Sequence, residues 1–199
     1  MTEKAFYARA EHFLERLLER NPVAATQLGE HRWDDRLADM SAAAIESDYQ
    51  ELKGALGEMQ AMDTSRFAVD AQIDHQLLVQ ILKQFVRGYE KIRSHLRNPG
   101  GYLDEAAGGV FLLLLKEFAP LPDRLRSALG RVREVPRVLE DGKRNVIPAE
   151  VPRVWAEITI EQAEQLPGLF LGLLPYMAGE AAPELMPELV EAGQAAAGA

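Results

Sequence analysis

Apolar residues recur at three- and four-residue steps along most of this chain, a period that predicts helices. From Glu3 to Arg20, Phe6, Ala10, Phe13, Leu14, Leu17 and Leu18 make the stripe of an amphipathic helix that Thr2 can cap. After Ser41, the positions Ile45, Tyr49, Leu52, Leu56 and Met59 alternate steps of four and three, which suits near-antiparallel packing against another helix. Beyond a linker at Asp63 to Asp70, Ile73, Leu77, Ile81, Phe85, Tyr89, Ile92 and Leu96 mark the longest predicted helix, about 25 residues or roughly 38 Å. Leu78, Leu82 and Val86 widen its stripe enough for two neighbours, and Gly88 marks a place where another helix could cross closely.

The second half is punctuated by proline. Asn98-Pro99-Gly100-Gly101 reads as a turn. Gly108 to Phe118 is apolar all round and predicts a buried helix ending before Pro120; a buried strand is the weaker option because the run is rich in leucine and not β-branched. Pro122 and Pro136 each open a helix, and Pro152 opens another through Trp155, Ile158, Ile160 and Ala163 that Pro167 breaks or kinks. Leu169 to Met177 is again strongly apolar. The expected fold class is therefore all-α: an irregular bundle of antiparallel helices. Residues 1–199 read as a single helical region, with a sub-boundary near 98–101.

Composition sharpens this in three places. Thirty-one acidic against 22 basic residues give a net charge of −9, which repels nucleic acid and anionic membrane surfaces at long range. The imbalance is uneven, because no Lys or Arg follows Arg153 while seven glutamates do. Between Pro120 and Arg153, by contrast, eight basic residues stand against five acidic ones. Solvated helix faces account for both. There is no cysteine, which removes disulfides, thiolate zinc sites and a cysteine nucleophile. The N-terminus lacks a signal-peptide pattern, and the longest apolar run, Ala106 to Leu115, is about half a membrane span. A cytoplasmic protein, with neither nucleic acid nor membrane as partner, is expected.

Chemistry concentrates in Asn21 to Ser41. Asn21 is a good N-cap with Pro22 at the first helical position, and Gly29 can end the short helix as a left-handed residue. His31, Arg32, Trp33, Asp34, Asp35, Arg36 and Asp39 then follow closely, and Ser41 caps the next helix. The plainest reading is a polar loop whose Asp and Arg side chains pair with each other and with nearby backbone. His31 stands apart from the other three histidines, because Asp34 and Asp35 lie three and four positions on, where a carboxylate can orient the imidazole. His12 and His75 read as surface residues pairing within their own helices. No two histidines have the four-residue spacing of a zincin helix, none follows a carboxylate by three, and no nucleophile elbow, phosphate-binding loop or dinucleotide fingerprint is present.

Pro22, Ala25, Thr26, Leu28, Gly29, His31, Asp34, Leu37, Asp39 and Ser41 together resemble the opening of the bacterial family known as domain of unknown function 885. Asp74 before an apolar run, Asn98-Pro99 with Tyr102, and Pro136, Leu139, Asn145 and Pro148 extend the resemblance over most of the chain. The resemblance implies a larger helical, zincin-like fold of which this chain is an incomplete part. Its zinc-binding His-Glu-x-x-His helix would lie in a C-terminal half missing here, so no zinc or other cofactor is expected in these residues. On this reading the chain is a non-catalytic N-terminal helical scaffold of a zinc metallohydrolase-like protein, with His31, Asp34 and Asp39 facing its cleft. Its partner would be the missing half or a second copy. An alternative is a stand-alone helical binding or oligomerisation module using the runs Val110 to Leu115 and Leu169 to Met177. A third reading, a self-sufficient enzyme using His31 and cross-helix carboxylates, needs a site assembled across helices.

Overall fold

The computed structural model describes residues 2–199, and every regular element among them is helical. The chain gathers into two compact units: the residues up to Leu18 with Ala42–Ser94, and Glu19–Ser41 with His95–Ala199. The turn expected at residues 98–101 lies inside the second unit. There Asn98 caps a helix, its side chain accepting the Gly100 N–H at 3.1 Å, with Pro99 at the first helical position.

The first unit is built from α1 (Glu3–Arg20), α3 (Ala42–Gln60) and α4 (Val69–Arg87). Thr2 caps α1, accepting the Ala5 N–H at 3.3 Å. Phe6, Met59, Phe67, Ala71, Leu78, Val79 and Leu82 form the core. Helix α4 carries two apolar stripes, and only the one through Leu78 and Leu82 is buried. Ile73, Leu77, Ile81 and Phe85, expected as the packing stripe, stay 38 to 58% exposed. His75 also departs from expectation. It is buried, with Nε2 2.8 Å from the Met59 carbonyl and its ring edge-on to Phe6. Its place one turn before the buried pair Leu78 and Val79 puts it on the inward face. Gly88 supports no close crossing, since nothing stands within 4 Å of an added Cβ. Instead it opens a π turn, Gly88–Ile92, closed by Arg93 in the left-handed region at φ 57°.

The second unit starts with α2 (Pro22–Leu28), which ends on Gly29 at φ 90°. It resumes with α5 (Ser94–Arg97) and with α6 (Pro99–Leu103), which runs through a π turn, Asp104–Gly108, into α7 (Gly109–Leu115). Helices α8 (Leu121–Asn145), α9 (Arg153–Ala163), α10 (Leu174–Ala181) and α11 (Met186–Gly198) follow, with a second π turn, Gly168–Leu173, leading directly into α10. The centre is α8, whose Leu125, Ala128, Val132, Val135 and Val138 are fully buried. Burying each such Leu or Val stabilises the fold by about 1.5–3 kcal/mol.

Pro136 does not open a new helix, because α8 runs through it. An interior proline costs about 3 kcal/mol by removing one hydrogen bond and crowding the preceding turn. The fully buried Val132, Val135 and Val138 on either side offset that loss. The run from Gly108 is buried on one face only: Val110 and Leu113 have no exposure, while Phe111 is 46% and Leu115 65% exposed. The basic residues of α8 are not all a solvated face either, since Arg124 and Arg131 are buried. On its outer side Arg126 and Arg133 reach Glu184 and Glu188, so part of the acidic C-terminal segment is neutralised across helices.

Candidate functional site

The most closely built polar cluster lies in the second unit, where the segment after α2 meets α7 and α8. Two glycines make the approach feasible. A Cβ on Gly130 would come 2.5 Å from the Asp35 carbonyl, and one on Gly109 would come 2.6 Å from Val23. Between them Arg131 is fully buried. Its Nη1 donates to the Gly109 carbonyl at 2.5 Å, and its Nη2 donates to Thr26 Oγ1 at 2.6 Å and to the Pro22 carbonyl at 3.3 Å. The guanidinium thereby ties α8 to the start of α7 and to both ends of α2. Burial pulls its pKa below the ordinary arginine value, opposed by the negative charges of Asp34, Glu105 and Asp35.

Thr26 passes this charge on. Its hydroxyl accepts from Arg131 and lies 2.5 Å from Asp34 Oδ1 and 3.0 Å from the Pro22 carbonyl. With one proton to give, it donates best to the carboxylate, the stronger acceptor. Asp34, almost fully buried, offers its other oxygen, Oδ2, to His31 Nδ1 at 2.9 Å. A neutral imidazole beside a carboxylate carries its proton on Nδ1, which leaves the Nε2 lone pair available. The ring is also stacked on Phe118, with centroids 3.8 Å apart and planes 12° from parallel. It is about one-third exposed. The sequence Arg131, Thr26, Asp34, His31 is thus one hydrogen-bonded chain that begins in the core and ends on an oriented imidazole at the surface.

Of the three residues singled out by sequence, the structure brings His31 and Asp34 together and engages Asp39 elsewhere. Asp39 accepts the Ser41 N–H at 2.9 Å and stands 3.8 Å from Arg137. The Ser41 backbone N–H is the main reason its carboxyl sits below the ordinary value. Arg137 also donates to the Ala38 carbonyl, while Glu105 accepts the Ala38 N–H at 2.6 Å. Burial pushes the Glu105 carboxyl up, against that N–H and the charges of Arg131 and Arg137. Cavities of 590, 610 and 420 Å³ are lined by other residues.

Arg131, Glu105 and Phe118 were not candidates on sequence. For Arg131 a signal existed, because Arg124, Ala128, Arg131, Val135 and Val138 follow one another at steps of four and three. An arginine in the register of a buried stripe is a buried arginine. Chemically, an imidazole held at Nδ1 can accept a proton at Nε2 or supply one metal ligand. No group of three or more His, Asp or Glu side chains that could hold a metal ion converges among the described residues.

Fold and site together define an all-helical protein in which a buried arginine and a buried aspartate support a histidine at the surface. The chain belongs to the family described as bacterial protein of unknown function (DUF885), which matches residues 22–198. A solved structure from Shewanella oneidensis, described as a "putative lipoprotein of unknown function", is similar to it with a TM-score of 0.83 at 20% identity. The match covers 94% of this chain and 34% of that one, so the chain spans about a third of the length of the protein it resembles in fold. No curated protein matches the sequence. No helix among the described residues is long and apolar enough to cross a membrane.

Proposed function

We propose that this chain is the non-catalytic helical scaffold of a larger zinc metallohydrolase-like molecule, and that its His31, held by the buried Asp34 and with Asp39 nearby in sequence, faces the cleft of that molecule. The observation that carries the reading is the hydrogen-bonded chain from Arg131 through Thr26 and Asp34 to His31. It immobilises one partly exposed imidazole through Nδ1, at the cost of burying a guanidinium, yet among the described residues it assembles no ligand set around that ring. Such an imidazole suits a supporting contact to substrate or to catalytic groups carried by other parts of the molecule. A second reading, a helical binding module without chemistry, is favoured by the apolar residues left exposed on α4 and α9.

Metal analysis of the purified chain, with a peptidase assay on a mixed peptide pool, tests the proposal. The expected result is no stoichiometric zinc and no turnover, in the parent and in His31→Ala alike. Stoichiometric zinc, with hydrolysis abolished by His31→Ala, would overturn it in favour of a site assembled across helices. The reading frame beyond codon 199 separates the two readings: a continuing frame with a His-Glu-x-x-His helix supports the scaffold, and a stop supports the binding module.

A further inference from the structure

Helix α9 buries none of its residues, although Val154, Trp155, Ile158 and Ile160 are among them and are 37 to 59% exposed. Eleven residues are too few to hold a helix in water without a packed face. The side chains that lean on the unit are the small ones: Ala156 and Thr159 are half-buried, and Thr159 Oγ1 would lie 3.2 Å from a Cβ on Gly100 of α6. At 100° per residue, Val154, Ile158, Gln162 and Trp155 form a stripe beside that contact, with Trp155 nearest to Thr159. That stripe runs into a groove of about 590 Å³, lined by Gln162 and Gln165 together with Leu103, Phe111, Leu169 and Leu173. The two π turns of the second unit, Asp104–Gly108 and Gly168–Leu173, contribute to its walls, and such irregular turns recur at functional sites.

Arg153, at the start of α9, is paired with Glu157, and the remaining charge beside this apolar strip has one sign. Asp104 lines the groove and Glu161 flanks the stripe, and neither has a cation within ion-pair distance among the described residues. No Lys or Arg lines the groove, and none follows Arg153. A membrane surface is repelled by such a rim, whereas a helix with apolar side chains at i, i+3, i+4 and i+7 and cations along its flank is matched in both respects. We propose that α9 and the adjoining groove are a docking surface for a basic amphipathic helix of a partner protein, about three turns long to span α9. This inference goes beyond the scaffold reading and does not depend on where a catalytic set lies.

The test uses the whole chain and two synthetic helical peptides, one a Leu/Lys amphipathic repeat and the other its Leu/Glu counterpart. Trp155 is the exposed one of two tryptophans, Trp33 being buried, so its emission reports occupancy of the face. The Leu/Lys peptide is expected to shift that emission to the blue saturably, and the Leu/Glu peptide to leave it unchanged. Ile158→Asp should weaken binding about tenfold, as loss of an interface anchor does, and Val154→Asp, one turn earlier, should repeat the effect. Leu77→Asp, on the exposed ridge of α4, should not. Failure of the Leu/Lys peptide to bind, equal binding by Ile158→Asp, or equal binding of the Leu/Glu peptide would overturn the proposal. Self-association of the chain alone that is abolished by Ile158→Asp would also overturn it, by assigning the face to a second copy.

Discussion

At the scale of single residues, register counts for more than charge. Arg131 has the same side chain as the exposed Arg133 and Arg144, yet its place in the stripe of α8 buries it. Burying the ion is tolerable because three oxygens receive protons from its two Nη groups and Asp34 lies 3.9 Å away, although its Nε is left without a partner. Glu105 has no such compensation beyond one backbone N–H and distant cations, and its carboxyl is pushed above the ordinary 4.5 chiefly by desolvation. As pH rises from about 4.5 through that raised value, the unfolded chain ionises first and the folded chain retains its proton, so folding stability falls across the window. Glu105→Gln keeps an acceptor for the Ala38 N–H and removes the titration. Its urea midpoint should gain on that of the parent as pH rises above 4.5; identical slopes for the two proteins would refute the assignment. Asp39 acts in the opposite sense: its lowered carboxyl contributes stability above the ordinary 3.8 that is lost as pH falls. Thr26, His31 and Asp34 were legible in the sequence because they crowd one short stretch. Arg131 and Glu105 reach the same cluster from distant helices, and no local spacing records that.

At the scale of elements, period predicted where helices lie better than where they end or which face they bury. Pro136 reads as a start signal, but the local rule lost to core packing, with three fully buried valines holding the turn on both sides. Pro136→Ala should therefore stabilise the chain. Restoring the hydrogen bond to the Val132 carbonyl is worth up to about 3 kcal/mol, reduced by roughly 1 kcal/mol because the unfolded chain gains freedom. A urea midpoint that falls instead would mean that the helix is bent at Pro136 in a way the core requires. Gly193 shows the converse, a residue whose importance no helix rule reveals. A Cβ there would come 2.6 Å from the Phe170 carbonyl, so α11 lies against the π turn Gly168–Leu173 only because position 193 has none. On α4 the sequence favoured the stripe through Ile73, Leu77, Ile81 and Phe85, and the burial of Leu78 and Leu82 in its place was not written in the periodicity.

At the scale of the whole molecule, the protein carries apolar surface that neither unit uses internally. Ile73, Leu77, Ile81 and Phe85 form an exposed ridge on α4 at steps of four, the spacing that packs into the groove of another helix. Patches of this kind mark interaction surfaces. The isolated chain is expected to bind an environment-sensitive hydrophobic dye or to self-associate. Replacing Ile73, Leu77 and Ile81 with glutamine should suppress that while changing stability by no more than about 0.5 kcal/mol per site, as for exposed positions. A monodisperse monomer without dye binding would refute the expectation.

The sequence by itself determined that this protein is all-helical, where its main helices run, that residues 21–41 hold its densest chemistry, and that His31 has a carboxylate within reach. Those properties depend on separations of three or four residues, which helix geometry converts directly into neighbours. Only the tertiary structure decided which stripe of α4 is buried, that Pro136 lies inside a helix, that α9 leaves its apolar side outward, and that His31 is the end of a chain beginning at Arg131. Each of these depends on residues dozens of positions apart meeting in space. Such meetings are chosen by volume, by backbone approach at glycines such as Gly109, Gly130 and Gly193, and by the need of buried polar groups for partners.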